Sequence, residues 1–324
     1  MAELQMVWNW QPALYLFLGG MGAGAFIMAA VLHFYDRDHN ERTISIATWA
    51  SAISLGLGLL LLLLELTNPL RGLLLWQSFS NGSSWMTFGA WIVFAALIVF
   101  GLMALLYTKK LVVALTKKWE KFAKIRVRIC FILAVVGIVL GLIVALYTGI
   151  LLMSAPGIPL WNTFWLPCLF AVSALDTGLA LVEIISIASD RKHAASPKAN
   201  KAHKLFKRCV VVLVIIELAV LAVFLSSFIS TGATGAQAIT GAASAAMLVS
   251  GTLSPFFWVL VVGLGLVLPL IAALIGLVMR TKSPASLAVV GASGVLLGGC
   301  TLRFLILMAG LHTDVIAHAV ASFL

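Results

Sequence analysis

The residues of this sequence that could do chemistry stand in apolar company. Arg303 interrupts Leu302-Arg303-Phe304-Leu305-Ile306-Leu307, and Glu65 closes a run of leucines. Tyr15 and Tyr147 lie within similar stretches. Asp176 and Glu183, seven residues apart on one helical face, and Glu217 are embedded further still. A charge at membrane depth is costly and faces a bundle interior or a hydrated cavity, where carboxylates commonly handle protons. A tyrosine hydroxyl can hydrogen-bond a carbonyl or hydroxyl of an apolar ligand. The chemistry these types support is proton transfer and polar recognition of a lipid-soluble substrate.

Those side chains need a scaffold that can hold them in lipid. Of 324 residues, 62% are apolar and 10% are charged. That is too little charge to coat a soluble globule, whose apolar share is nearer half. The chain is therefore an all-α integral membrane protein. The net charge of +10 does not signal nucleic acid, because the basic residues fall in short tracts between apolar spans. The four cysteines are scattered, with no metal-ligand spacing, so no metal is expected. No Lys or Arg precedes Arg37, which leaves the first apolar segment without the basic flank of a cleaved signal.

Eight transmembrane helices are expected, over about 11–35, 43–66, 84–107, 127–152, 162–188, 205–229, 253–279 and 285–311, as two four-helix bundles in one membrane domain. The Ala-, Gly-, Ser- and Thr-rich stretch 230–252 is expected to be a connection with a short surface helix, a ninth span being the alternative. Nineteen of the 21 Lys and Arg residues lie in odd-numbered connections, which places those in the cytoplasm and both termini outside.

The two remaining cations are Arg71, just outside the second span, and Arg303. Arg303 lies roughly 27 Å along its helix from the cytoplasmic edge at 1.5 Å per residue. Tyr15, Glu65, Tyr147 and Arg303 thus share the outer third from four helices. No histidine pair faces across two spans, so no haem is expected. Gly20-Met21-Gly22-Ala23-Gly24-Ala25 formally fits a dinucleotide fingerprint, but without a preceding strand it is a small-residue helix seam. The connections near 67–83, 153–161 and 230–252, with Met1 to Trp10, are nearly uncharged and carry aromatics, as a docking surface does.

Four motifs in order give the sequence a familiar look. They are Trp8-Asn9-Trp10-Gln11-Pro12-Ala13-Leu14-Tyr15 leading to Gly19-Gly20-Met21-Gly22-Ala23-Gly24; Glu65-Leu66-Thr67-Asn68-Pro69-Leu70-Arg71 leading to Ser84 and Gly89-Ala90-Trp91; Tyr147-Thr148-Gly149 leading to Pro159-Leu160-Trp161-Asn162; and Leu302-Arg303-Phe304 with Gly310. Across essentially the whole chain this resembles the NrfD/PsrC family of quinone-binding membrane subunits. The resemblance implies menaquinone or menaquinol near the outer face of a prokaryotic inner membrane. Its neighbours would be Gln11, Tyr15 and Tyr147, with Glu65, Arg71 and Arg303 in support. It also implies an iron–sulfur subunit docked outside and a molybdopterin-type catalytic subunit beyond it, the membrane subunit holding no redox cofactor. A tyrosine, with a pKa of about 10, is no proton acceptor near neutrality, so Glu65, near Arg303, is the candidate acceptor. The rival readings are a secondary transporter centred on Asp176, Glu183 and Glu217, and a passive anchor.

Overall fold

The computed structural model describes residues 3–4, 10–65, 85–119, 122–190, 199–229, 235–278 and 285–313. Among them seven helices are long and apolar enough to cross a membrane. The first, α1 (Trp10–Glu65), would run about 84 Å if straight at 1.5 Å per residue, far beyond the roughly 30 Å of a bilayer core. It does not run straight. Asp36 (φ −161°, ψ 75°) and Asn40 (φ −109°, ψ 15°) leave the helical region. Asn40 Nδ2 donates to the Asp36 carbonyl at 2.9 Å, and His39 Nδ1 pairs with Asp36 Oδ1 at 2.6 Å. Local bonds of this kind compete with the helix ladder and let the chain turn.

The two limbs of α1 then lie antiparallel. Ser51 Oγ donates to the Gly22 carbonyl at 2.5 Å, and Ser54 Oγ to the Leu18 carbonyl at 2.8 Å. A Cβ at Gly22 would stand 2.9 Å from the Ser51 carbonyl oxygen, so glycine is what permits the approach.

The remaining elements are α2 (Trp85–Tyr107), α3 (Lys109–Lys118), α4 (Phe122–Met153), α5 (Trp165–Asp190), α6 (Ala199–Ile229) and α7 (Ala236–Val249). Then come α8 (Ser254–Val278) and α9 (Ala285–Met308). The limbs of α1 pack with α2 and α4, while α5, α6, α8 and α9 pack with one another. The first limb joins the two groups through α5. A Cβ on Gly24 would lie 2.0 Å from the Ala174 carbonyl, and one on Gly178 2.2 Å from Ala25 N, so backbone meets backbone there. The wide π-type winding at Phe257–Val267 in α8 precedes Pro269. Proline has no N–H to donate and its ring crowds the preceding turn; a wider turn accommodates both.

Two ends of the molecule differ sharply. At one, Glu3–Leu4 pairs antiparallel with Leu311–His312, and Thr313 N donates to the Gly157 carbonyl at 3.1 Å. The short helix α7 sits beside that pairing, its Gly241 against Phe228 and Pro159. At the other, basic end, Arg126 pairs with Glu41 at 3.0 Å, donates to the Leu106 carbonyl at 2.8 Å, and stacks over Tyr107. The Tyr107 hydroxyl bonds His33 Nδ1. This cluster ties the turn of α1 to α2 and α4.

Candidate functional site

Tyr15 and Tyr147 enter one cavity. It lies between the two limbs of α1, α2 and α4, with about 890 Å³ of space including its open mouth. Its walls are otherwise leucine, valine, alanine and glycine, apart from Thr148, whose hydroxyl is already committed to the Ala145 carbonyl at 2.7 Å. Tyr15 and Tyr147 are the other polar side chains on its wall. Tyr147 lies two turns from the end of α4, and Tyr15 just over one turn into α1, which puts both at the level of the paired chain ends.

Glycines shape this space. The Tyr147 ring lies directly on Gly89, where a Cβ would come within 1.7 Å of Cζ and 2.0 Å of Oη. Gly58 lets the second limb approach Tyr15, a Cβ there standing 3.3 Å from the Tyr15 carbonyl. Gly149 lets α4 meet α5, a Cβ there falling 2.4 Å from Pro167 Cα. Trp161, 1% exposed, closes the same end by donating to the Ile306 carbonyl at 2.8 Å and covering Gly310. Asn162 Nδ2 caps the Met153 carbonyl at 3.0 Å.

Arg303 is elsewhere. Fully buried, it lies on the opposite side of the first limb, where Gly20 and Phe17 face it while Tyr15, Leu16 and Gly19 face the cavity. Arg303 Nη1 donates to Ser173 Oγ at 3.1 Å and to the Gly299 carbonyl at 2.7 Å, with the Phe170 ring centroid 5.2 Å from its guanidinium carbon. Ser173 is also hydrogen-bonded to Glu217, whose charge acts on Arg303. Glu217 and Asp176 line one small cavity with Ser173 and Thr177. Glu183 and Lys207 line the next one toward the basic end.

The expected site residues thus divide. Tyr15 and Tyr147 share the large cavity; Arg303, Asp176, Glu183 and Glu217 form a separate polar seam; Gln11 lies one turn before Tyr15 and off the cavity wall. Glu65 ends the second limb, with its side chain outside the described residues, and Arg71 falls outside them altogether. So do connection 67–83 and residues 5–9 of the expected docking surface. Sequence reasoning passes over Ser173 and Lys207 as members of the seam. The spacing Ser173, Asp176, Ala180, Glu183 puts all four on one face of α5 and is the available signal. Among the described residues no group of three or more His, Cys, Asp or Glu could hold a metal ion.

Comparison with known proteins gives this arrangement relatives of the same length. The C subunit of polysulfide reductase from Wolinella succinogenes is 31% identical over 321 residues, covering 94% of both sequences. Protein NrfD of Escherichia coli is 31% identical over 318 residues, covering 94% of this sequence and 95% of that one. The Protein NrfD homolog of Haemophilus influenzae is 27% identical over 318 residues, covering 94% of both. The family described as Polysulphide reductase, NrfD matches residues 2–315. With that match from end to end and an all-α membrane architecture, the protein belongs to the NrfD family of polysulphide reductase-type membrane proteins.

Proposed function

We propose that this protein is the quinone-reactive membrane subunit of a prokaryotic respiratory oxidoreductase. It crosses the inner membrane eight times, counting each limb of α1, with both termini outside. It binds menaquinone or menaquinol in the cavity between α1, α2 and α4. The observation that carries this reading is a cavity whose wall is apolar apart from Tyr15, Tyr147 and Thr148. A quinone head has two oxygens that need hydrogen-bond partners, and its ring and isoprenoid tail need an apolar slot. Tyr147, resting on Gly89, and Tyr15 supply the partners; the leucines of the second limb supply the slot.

Oxidising the quinol releases two protons and two electrons. Tyrosine orients the head group but does not accept a proton near neutrality. That task falls to Glu65, at the end of the leucine run that walls the cavity, with Arg71 six residues on as its cationic support. The electrons leave directly to an iron–sulfur subunit docked at the end where Glu3–Leu4 pairs with Leu311–His312, and through it to a molybdopterin-type catalytic subunit. A relative named as one component of polysulfide reductase supports a multi-subunit assembly. Asp176, Glu183 and Glu217, lying apart from the cavity, serve proton transfer, and Arg303 beside them makes no head-group contact.

The test is Glu65→Gln in membranes, which removes the carboxylate while keeping shape and most hydrogen bonding. Quinol-linked turnover is lost, while turnover with an artificial donor to the soluble subunits persists in the assembled complex. Unchanged quinol-linked turnover would remove Glu65 from the mechanism.

A further inference from the structure

The seam between α5, α6, α8 and α9 contains two small cavities in series. The first is lined by Glu183 and Lys207, the second by Asp176 and Glu217, and Val295 alone among the described residues lines both. The Glu183 cavity has room for about one water molecule, and the Asp176 cavity is at the lower limit for one. Asp176 is 1% exposed, and both of its carboxyl oxygens lack a hydrogen-bond partner among the described residues. A carboxyl group without partners in a buried site needs water or a proton to satisfy it. Asp176 and Glu183 stand two turns apart on one face of α5, each lining one of the two cavities.

Lys207 fixes the direction. It is half-buried near the start of α6, at the basic end, and reaches inward so that Nζ donates to the Gly276 carbonyl at 3.2 Å. Glycine at 276 makes that reach feasible, since a Cβ there would stand 2.7 Å from Nζ. The ammonium then lies within electrostatic range of Glu183, which is 5% exposed. From Lys207 to Glu217 is ten residues of α6, or about 15 Å at 1.5 Å per residue, and the same span separates Glu183 from Ser173 on α5. Arg303 closes the far end, held by Ser173 and Gly299.

We propose that this seam is a proton-entry path from the basic end, with Lys207 at its mouth, Glu183 in its first chamber, Val295 at its constriction and Asp176 with Glu217 in its second. The proposal rests on the proton-transfer role given above to the three carboxylates, and adds the route, the mouth and the barrier. A proton passes from water at the mouth to Glu183, and through water beside Val295 to Asp176. Each carboxylate gains one proton and hands one on, with no electron moved. Lys207 holds the charge on Glu183 when that group is deprotonated. Arg303, held by Ser173 and Gly299, ends the path at the far side.

The test is the rate at which the Asp176 carboxyl C=O stretch shifts after transfer of the purified complex into D2O, read by infrared difference spectroscopy and assigned with Asp176→Asn. Val295→Phe fills the constriction, and Glu183→Gln removes the relay. Each should slow exchange about tenfold, equivalent to about 1.4 kcal/mol on the barrier. Leu297→Phe, at an exposed position on another face of α9, should leave it unchanged. Should Val295→Phe fail to assemble, Glu183→Gln carries the test alone. Exchange at the wild-type rate in either assembled variant overturns the route. So does absence of an Asp176 carboxyl band, which would mark a permanently ionised group. No quinol enters this measurement, so failure of the quinone reading would be seen separately, as unchanged turnover in Glu65→Gln.

Discussion

Gly89→Ala is the sharpest perturbation of the proposed quinone cavity because its geometric consequence can be worked out in advance. The added Cβ would fall 1.7 Å from Tyr147 Cζ, 2.0 Å from Oη and 2.2 Å from Cε2. Ordinary carbon–carbon contact begins near 3.5 Å, so the ring must retreat by about 2 Å. The ring lines the cavity, so its retreat moves the hydroxyl away from the proposed head-group position and changes the space the ring leaves. Loss of one hydrogen bond costs about 1 kcal/mol of quinone binding, and overpacking the contact lowers the stability of the fold by about 1–3 kcal/mol. Quinone affinity should fall by about 1 kcal/mol, roughly fivefold. The assay is quinone binding to the assembled complex, with quinol-linked turnover beside it. In a Tyr147→Ala background the same substitution has no ring to displace and should be nearly silent, so the two changes are strongly non-additive. Wild-type quinone affinity in assembled Gly89→Ala would refute the placement of the head group against Tyr147.

Two further outcomes follow, one from the packing of Trp161 and one from the distribution of Lys and Arg. Trp161→Phe removes the donor to the buried Ile306 carbonyl and part of the cover over Gly310, and should lower stability by about 1–3 kcal/mol, read as a lower midpoint in detergent unfolding. Reporters fused at residues 115 and 198 should lie in the cytoplasm and one fused after Leu324 outside; an outside signal at 198 would contradict the assigned orientation.

Much of the scaffold was legible in the sequence because lipid imposes a length rule on apolar helices. The span expected at 84–107 is α2 (Trp85–Tyr107), and that at 253–279 is α8 (Ser254–Val278). The stretch 230–252 holds a short helix, α7 (Ala236–Val249), as its weak apolarity implied. The turn between the first two limbs was visible as the polar run from Asp36 to Arg42, although the structure keeps helical backbone through most of it. The site was harder to read. Depth along a helix follows from counting, and it put Tyr15, Tyr147 and Arg303 at one level. The side of the helix does not follow from depth. Tyr15 and Phe17 are two residues apart, so they face different neighbours, and only packing decided that Tyr15 looks into the cavity and Phe17 toward Arg303. Gly89 stood in its motif without a role, because the need for a missing Cβ emerges only once the Tyr147 ring is in place.

The central claim is that a quinone head group sits between Tyr15 and Tyr147, and photolabelling tests it most directly. A photoreactive menaquinone analogue, irradiated in the assembled complex and mapped by peptide mass spectrometry, should label the cavity walls around Tyr15–Gly19, Gly89–Val93 and Val144–Leu151, with excess menaquinone suppressing the signal. Competable labelling confined to α5, α6, α8 or α9 would contradict the account.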